Sequence, residues 1–322
     1  MAGSRGPLDS TKAFLVVSRV EYMPSAINEV GIPACLALLS VPPSSRFVAL
    51  TFQGLIVWWL AHCIGAQINC LADYEVDQKH KSRLPKAVDV LGKRTLGWVV
   101  VVETIATTGI VLFLTVQRER PLLSVFWSVG LAFTIGYSVL PLRLKGRRLW
   151  NPFTLALVLY VCPMLFVYHL ISPTFDPFAI LVVLLFVAQM VPMFLVDEVS
   201  DYEEDKEQGI ETPCVFYGRF KITIAALLIY VAATVAMIGA FVPLKQRDGL
   251  LTHLLISFSV LSFLLVVSEF CRLAYLSRQF DRAREGDARE VWALRLKEKV
   301  RTPVWLMSTG IAVIALVMSV LK

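Results

Sequence analysis

Nine stretches of mostly apolar residues, each close to the roughly 20 needed to span a bilayer as a helix, dominate the chain and limit what it can fold into. They run Ser25–Val41, Phe47–Ile68, Leu96–Val116, Leu122–Leu142, Pro152–Ile171, Phe178–Val196, Ile222–Val242, Leu250–Leu276 and Val304–Leu321. In hydrocarbon the backbone must satisfy its own hydrogen bonds, so each stretch is predicted to be a helix. The first is short, and its helix is expected to begin before Pro24. Composition agrees: 57% of the 322 residues are hydrophobic and 17% charged, against about 45–50% and about 25% in soluble domains. The expected fold class is all-α, a polytopic integral membrane protein. The first eighteen residues lack an apolar run followed by a small-residue cleavage site, so no cleavable signal peptide is expected.

The net charge of +6 would suit a nucleic-acid partner if it formed one patch, but it does not. Of the 31 Lys and Arg residues, 25 fall on the N-terminus and the even-numbered loops and 6 on the opposite side. That asymmetry is a topology signal: it places the N-terminus and even loops in the cytoplasm. The basic excess there suits anionic lipid headgroups or diphosphates, and no nucleic-acid partner is expected. The six cysteines lack paired metal-ligand spacing and read as buried apolar thiols. The segment Ser277–Arg301, with alternating charges, reads as a solvated or interfacial helix.

Within this pattern one motif occurs twice. Asn69-Cys-Leu-Ala-Asp73-Tyr74-Glu75-Val-Asp77 follows the second stretch, and Asp197-Glu-Val-Ser-Asp201-Tyr202-Glu203-Glu-Asp205 follows the sixth, 128 residues later. Residues four apart lie on one helix face. Asn69, Asp73 and Asp77 therefore form one oxygen-rich stripe, and Asp197, Asp201 and Asp205 a second, at matching membrane positions. Five carboxylates converging beside lipid repel one another and call for positive charge. Hard oxygen ligands suit Mg²⁺, which takes one or two carboxylates and completes its shell with water and substrate phosphate oxygens. Two such stripes would grip a diphosphate from both sides, with an isoprenyl tail lying between helices and shielded from water. Asp73 and Asp201, central in their stripes, are the expected catalytic residues.

Basic partners lie on the same side. Lys81, Arg83, Arg143, Lys145 and Lys206 are the candidates for the phosphates, Arg as a bidentate donor and Lys as a point charge. Tyr74, Tyr137 and Tyr202 are candidates to face a cation or phosphate. The histidines show no ligand spacing, and His62 and His169 read as packing residues.

At these residues the chain resembles the UbiA superfamily of intramembrane prenyltransferases, over most of its length. The family's NDxxDxxxD motif is met by Asn69, Asp73 and Asp77, with Cys70 in place of the usual second acid. Its DxxxDxxxD motif is met by Asp197, Asp201 and Asp205, followed by Gly209, Thr212 and Gly218. Tyr137, Pro141, Arg143 and Lys145 resemble its YxxxPLxxK stretch, and Lys81-Ser-Arg83-Leu84-Pro85 departs from its basic segment. The resemblance implies one domain over 1–322, with nine transmembrane helices arranged as two pseudo-repeated four-helix halves plus one around a central cavity. The six stripe residues would hold Mg²⁺ and an isoprenyl diphosphate. Departure of diphosphate would be followed by attack on the allylic cation by a hydrophobic acceptor, aromatic or lipid-like.

Arg19, Glu21, Tyr22, Asn28 and Glu29 form a candidate acceptor lip but match no acceptor signature of the family. That keeps open a second reading, a UbiA-type terpene cyclase that converts farnesyl or geranylgeranyl diphosphate without an acceptor. A third reading, cation transport, is disfavoured because the acids cluster at one membrane face and not near the midplane.

Overall fold

The computed structural model of the chain describes residues 7–80, 83–207, 209–241 and 249–282. Among them every regular element is helical, and the one β-type pairing is an isolated bridge between Arg147 and Glu211. The second stretch forms α3 (Ser45–Ala72), begun by Ser44, whose side chain accepts a hydrogen bond from the Phe47 amide at 3.1 Å. The third forms α6 (Lys93–Arg118), the sixth α10 (Pro177–Glu207), the seventh α12 (Arg219–Phe241) and the eighth α13 (Gly249–Arg282).

Five helical segments are long and apolar enough to cross a membrane: Ser45–Ala72, Lys93–Arg118, Trp150–Ile171, Pro177–Val199 and Arg219–Ala240. The expected nine are therefore not all found as regular spans among the described residues. The fourth stretch gives only α7 (Leu122–Ser138), which ends where Val139 turns extended. The ninth, Val304–Leu321, lies outside the described residues, as does Ser277–Arg301 beyond Arg282.

The first stretch departs most from a simple helix. After the separate α1 (Pro7–Val17), the path runs through a 3₁₀ segment (Val20–Ser25), a π turn (Ile27–Gly31) and the short α2 (Ile32–Ala37). The fifth stretch repeats this device. There α8 (Trp150–Ala156) leads into a π turn (Leu157–Val161) and then α9 (Cys162–Ile171). Each π turn ends just before a proline, Pro33 or Pro163. A proline lacks the N–H that would bond four residues back and crowds that carbonyl, here Glu29 or Leu159. One extra residue in the turn relieves the crowding.

The regions after the two acidic stripes also match. α4 (Tyr74–His80) and α5 (Arg83–Leu91) lead through Gly92 into α6, while α11 (Pro213–Tyr217) leads through Gly218 into α12. Gly92 at φ +82° and Gly218 at φ +90° adopt a backbone conformation that glycine accepts and L side chains resist. Burial separates the centre from the periphery. Of the apolar windows in Trp150–Ile171 and Pro177–Val199, 61% is buried, against 17% for α6, whose free face is left for lipid. A second, smaller core of Ala13, Val17, Cys70, Ala87, Val88 and Leu96 packs α1 and α5 against the end of α3. Five cysteines are buried as free thiols, whereas Cys271 on α13 is exposed.

Candidate functional site

α3 and α4 meet at Asp73 without breaking the acidic stripe. The Asp73 amide bonds to the Asn69 carbonyl at 2.9 Å and the Asp77 amide to the Asp73 carbonyl at 2.8 Å, so the one-turn spacing continues through the junction. The second stripe lies on the uninterrupted α10. All six stripe residues line one cavity of about 950 Å³. Asp73 and Asp77 are buried, and the Ser138 hydroxyl donates to Asn69 Oδ1 at 3.1 Å.

Positive charge reaches this polar end from the loop after α7. The Lys145 ammonium, on the cavity wall, donates to Asp73 Oδ1, and Arg143 Nη2 lies 3.8 Å from the same oxygen. Burial pulls Lys145 below the usual lysine range, an effect that Asp73 opposes. The loop is tied to the segment after the second stripe. The Arg148 amide bonds to the Glu211 carbonyl at 2.6 Å, and Arg148 Nε donates to Glu211 Oε2 at 3.1 Å. A basic segment from one half of the chain is thereby fixed against the acidic end of the other.

The remaining candidates separate. Tyr137 and Arg83 line the cavity; Arg83 is exposed and 3.7 Å from Glu21. Lys81 lies outside the described residues. Lys206 is exposed and does not line the cavity, its ammonium lying 5.9 Å from the Tyr202 ring. Tyr74 and Tyr202 also point elsewhere. Each follows a stripe aspartate directly, and one helical step turns a side chain about 100° away. Tyr74 donates to Asp89 Oδ1 at 2.5 Å under the Lys93 ammonium, and Tyr202 stacks against the Arg219 guanidinium at 3.8 Å. Arg219, itself buried, also reaches Glu203 at 2.6 Å and Asp281 at 3.4 Å, which locks α10, α12 and α13 together.

Beyond the stripes the cavity becomes apolar and aromatic. Trp58, Phe126, Trp127, Tyr160, Phe166 and Phe194 line it. Trp58 sits about 16 Å deeper along α3 than Asn69 at 1.5 Å per residue. There the Trp58 indole N–H donates to Glu29 Oε2, an oxygen that the Ser25 hydroxyl also approaches at 3.4 Å. His62 stacks on Trp58 and Trp59 with ring centroids 5.5 and 5.9 Å away. Of the acceptor-lip candidates, Arg19, Glu21, Tyr22 and Glu29 line the cavity and Asn28 does not. Sequence reasoning passed over Glu198 and Asn151, also on the wall. Glu198 accepts from Asn151 Nδ2 at 2.8 Å and from the Cys214 amide at 3.2 Å, joining α8, α10 and α11. The available signal was a second acid directly after Asp197, where the apolar stretch ends.

Among the described residues no group of three or more His, Cys, Asp or Glu side chains could hold a metal by itself. One or two carboxylates from a stripe suit a hard cation that shares its shell with phosphate oxygens and water. Comparison with solved structures finds this fold in a UbiA homolog from Archaeoglobus fulgidus. Its form bound to DMAPP and Mg²⁺ matches at a TM-score of 0.58 and 15% identity, covering 96% of this chain and 99% of that one. The form bound to GPP and Mg²⁺ gives 0.59 and 15%, covering 95% and 99%. A digeranylgeranylglyceryl phosphate synthase matches at 0.57 and 16%, covering 95% and 99%. No curated protein sequence gives a significant match. The model of the UbiA prenyltransferase family matches residues 30–296, most of the chain, and the protein belongs to that family.

Proposed function

We propose that this protein is a Mg²⁺-dependent intramembrane prenyltransferase that ionises an isoprenyl diphosphate and passes the prenyl group to a hydrophobic acceptor. The observation that carries this reading is the convergence of both acidic stripes and Lys145 on the polar end of a cavity whose other end is apolar and aromatic. Asn69, Asp73, Asp77, Asp197, Asp201 and Asp205 are the proposed holders of Mg²⁺ and, through it, the diphosphate. Bound there, Mg²⁺ supplies Lewis-acid stabilisation of charge gathering on the leaving group. Lys145, Arg143 and Arg83 orient the diphosphate oxygens, and the aromatic wall holds the prenyl chain away from water. The acidic ends are assigned to the cytoplasmic face from the loop charge asymmetry, and residues 1–322 act as one UbiA-like domain.

A second reading, acceptor-free cyclisation, is supported by the rings at the deep end, whose faces suit a cation that migrates along the chain. Both readings share ionisation. Asp73→Ala and Asp201→Ala are each expected to lower turnover of prenyl diphosphates by at least about 10²-fold while leaving membrane insertion intact. Full activity in either purified variant would overturn the proposal. Incubation with farnesyl or geranylgeranyl diphosphate and Mg²⁺, without acceptor, separates the readings. A cyclic hydrocarbon or alcohol by gas chromatography–mass spectrometry selects the cyclase, and intact substrate or slow release of the linear alcohol selects the transferase.

A further inference from the structure

Arg46, Arg118 and Arg120 run against the charge asymmetry of the chain, since they lie on the basic-poor side. α3 and α6 pack against one another and run in opposite directions, so the first turn of α3 lies beside the last turn of α6. Arg46 occupies the former, Arg118 the latter, and Arg120 the link to α7. They form one basic corner. Burial, followed by the guanidinium groups of Arg118 and Arg46, pulls Arg120 below the usual arginine range.

Little on the protein balances this charge. Among the described residues none of the three arginines forms an ion pair with a carboxylate. Arg120 Nη1 donates to the His169 carbonyl, while Arg118 Nε is shut off from solvent with no hydrogen-bond partner. Arg46 sits at the positive end of a long helix, where a cation is disfavoured. Glu119 is the one acid in this stretch, and no ion pair links it to the arginines. Three guanidinium groups at one corner, two of them partly buried and none paired with a carboxylate, call for an anion.

Position and surroundings indicate which anion. The corner lies about 35 Å along α3 from Asn69 at 1.5 Å per residue. A hydrocarbon core is about 30 Å thick, so the corner falls at the headgroup layer opposite the acidic stripes. Directly inward, Val48 and Phe52 on α3 and Phe113 and Val116 on α6 are 65%, 60%, 62% and 76% exposed. A hydrated inorganic anion gains nothing from that apolar wall, whereas an amphiphile satisfies both parts. We propose that Arg46, Arg118 and Arg120 bind the phosphate of an anionic glycerophospholipid whose acyl chains lie along the exposed wall of α3 and α6.

The test is native mass spectrometry of the full-length protein, delipidated in neutral detergent and titrated with phosphatidylglycerol or phosphatidylcholine. Wild type is compared with R46Q/R118Q. Wild type is expected to prefer phosphatidylglycerol by about tenfold or more, as its net negative headgroup is matched by the arginines and the zwitterionic headgroup of phosphatidylcholine is not. The double variant is expected to lose most of that preference. R46Q alone changes an exposed side chain and is expected to lose severalfold, which keeps the test decisive if the double variant does not fold. Equal binding of the two lipids, or a preference that survives both variants, overturns the proposal. Inorganic phosphate that displaces phosphatidylglycerol from wild type at equal concentration also overturns it, because the site would then take a soluble anion.

Discussion

Lys145 occupies the position where substrate charge would arrive. Its ammonium rests on Asp73 with Arg143 nearby, so one central acid has a cation beside it. A diphosphate entering this end offers Lys145 a more highly charged acceptor, and the side chain is expected to turn towards it. Lys145→Ala is expected to lower kcat/KM for the prenyl diphosphate by about 10- to 100-fold, the scale of one charged hydrogen bond at roughly 1.5–3 kcal/mol. The pH profile separates charge from packing. Burial favours the neutral amine, so raising pH is expected to remove the positive charge below the usual lysine range and weaken substrate binding there. Lys145→Arg keeps its charge at those pH values and is expected to hold its KM flat where that of wild type climbs. The stripe residues were legible from sequence because spacing by four fixes a face. Spacing places Tyr74 and Tyr202 one helical step from the stripes, which turns their side chains off the cavity wall, whereas Tyr137 lines it.

At the scale of elements, the halves repeat in more than their acids. Each begins with a helix interrupted by a π turn before a proline and later turns through a positive-φ glycine into a long helix. The prolines and glycines were present in the sequence, but hydropathy averages over them, so the first and fifth stretches read as unbroken. The π turns border the cavity: Glu29 lies on one, and Val158, Leu159 and Tyr160 on the other. Pro163→Ala restores an N–H four residues beyond Leu159 and removes the crowding that favours the wide turn. The expected result is a re-aimed Tyr160, with altered product distribution or acceptor preference. Release of diphosphate is expected to stay within about threefold of wild type, because ionisation is proposed to rest on the stripe residues and not on this turn. A large loss of diphosphate release with unchanged products would contradict that division of labour.

For the whole molecule, function depends on separating a charged end from an apolar one along the same helices. The charge asymmetry and the twin stripes made this visible in the sequence. Contacts such as Arg148 with Glu211, between the halves, and Asn151 with Glu198, within the second, were not visible, because they join residues far apart in the chain. As the described acids do not form a metal cage of their own, Mg²⁺ is expected to bind weakly to the protein alone and at least about tenfold more tightly with a non-hydrolysable prenyl diphosphate analogue present. Isothermal titration with and without the analogue measures this, and equal affinities would argue against shared coordination. The depth of the cavity along α3 has one more consequence. Gly65, Ala61 and Trp58 line it at about 6, 12 and 16 Å from Asn69 by helical rise, like graduations on a ruler. The first two are small, and a Cβ at Gly65 would rest 3.4 Å from Thr134 Cγ2, ordinary contact. A bulky residue at Ala61 or Gly65 would close the ruler at that mark, so Ala61→Phe is expected to favour shorter prenyl diphosphates and Gly65→Leu shorter ones still. The length of chain accepted would then be set by which small side chain on one helix is the first to be filled.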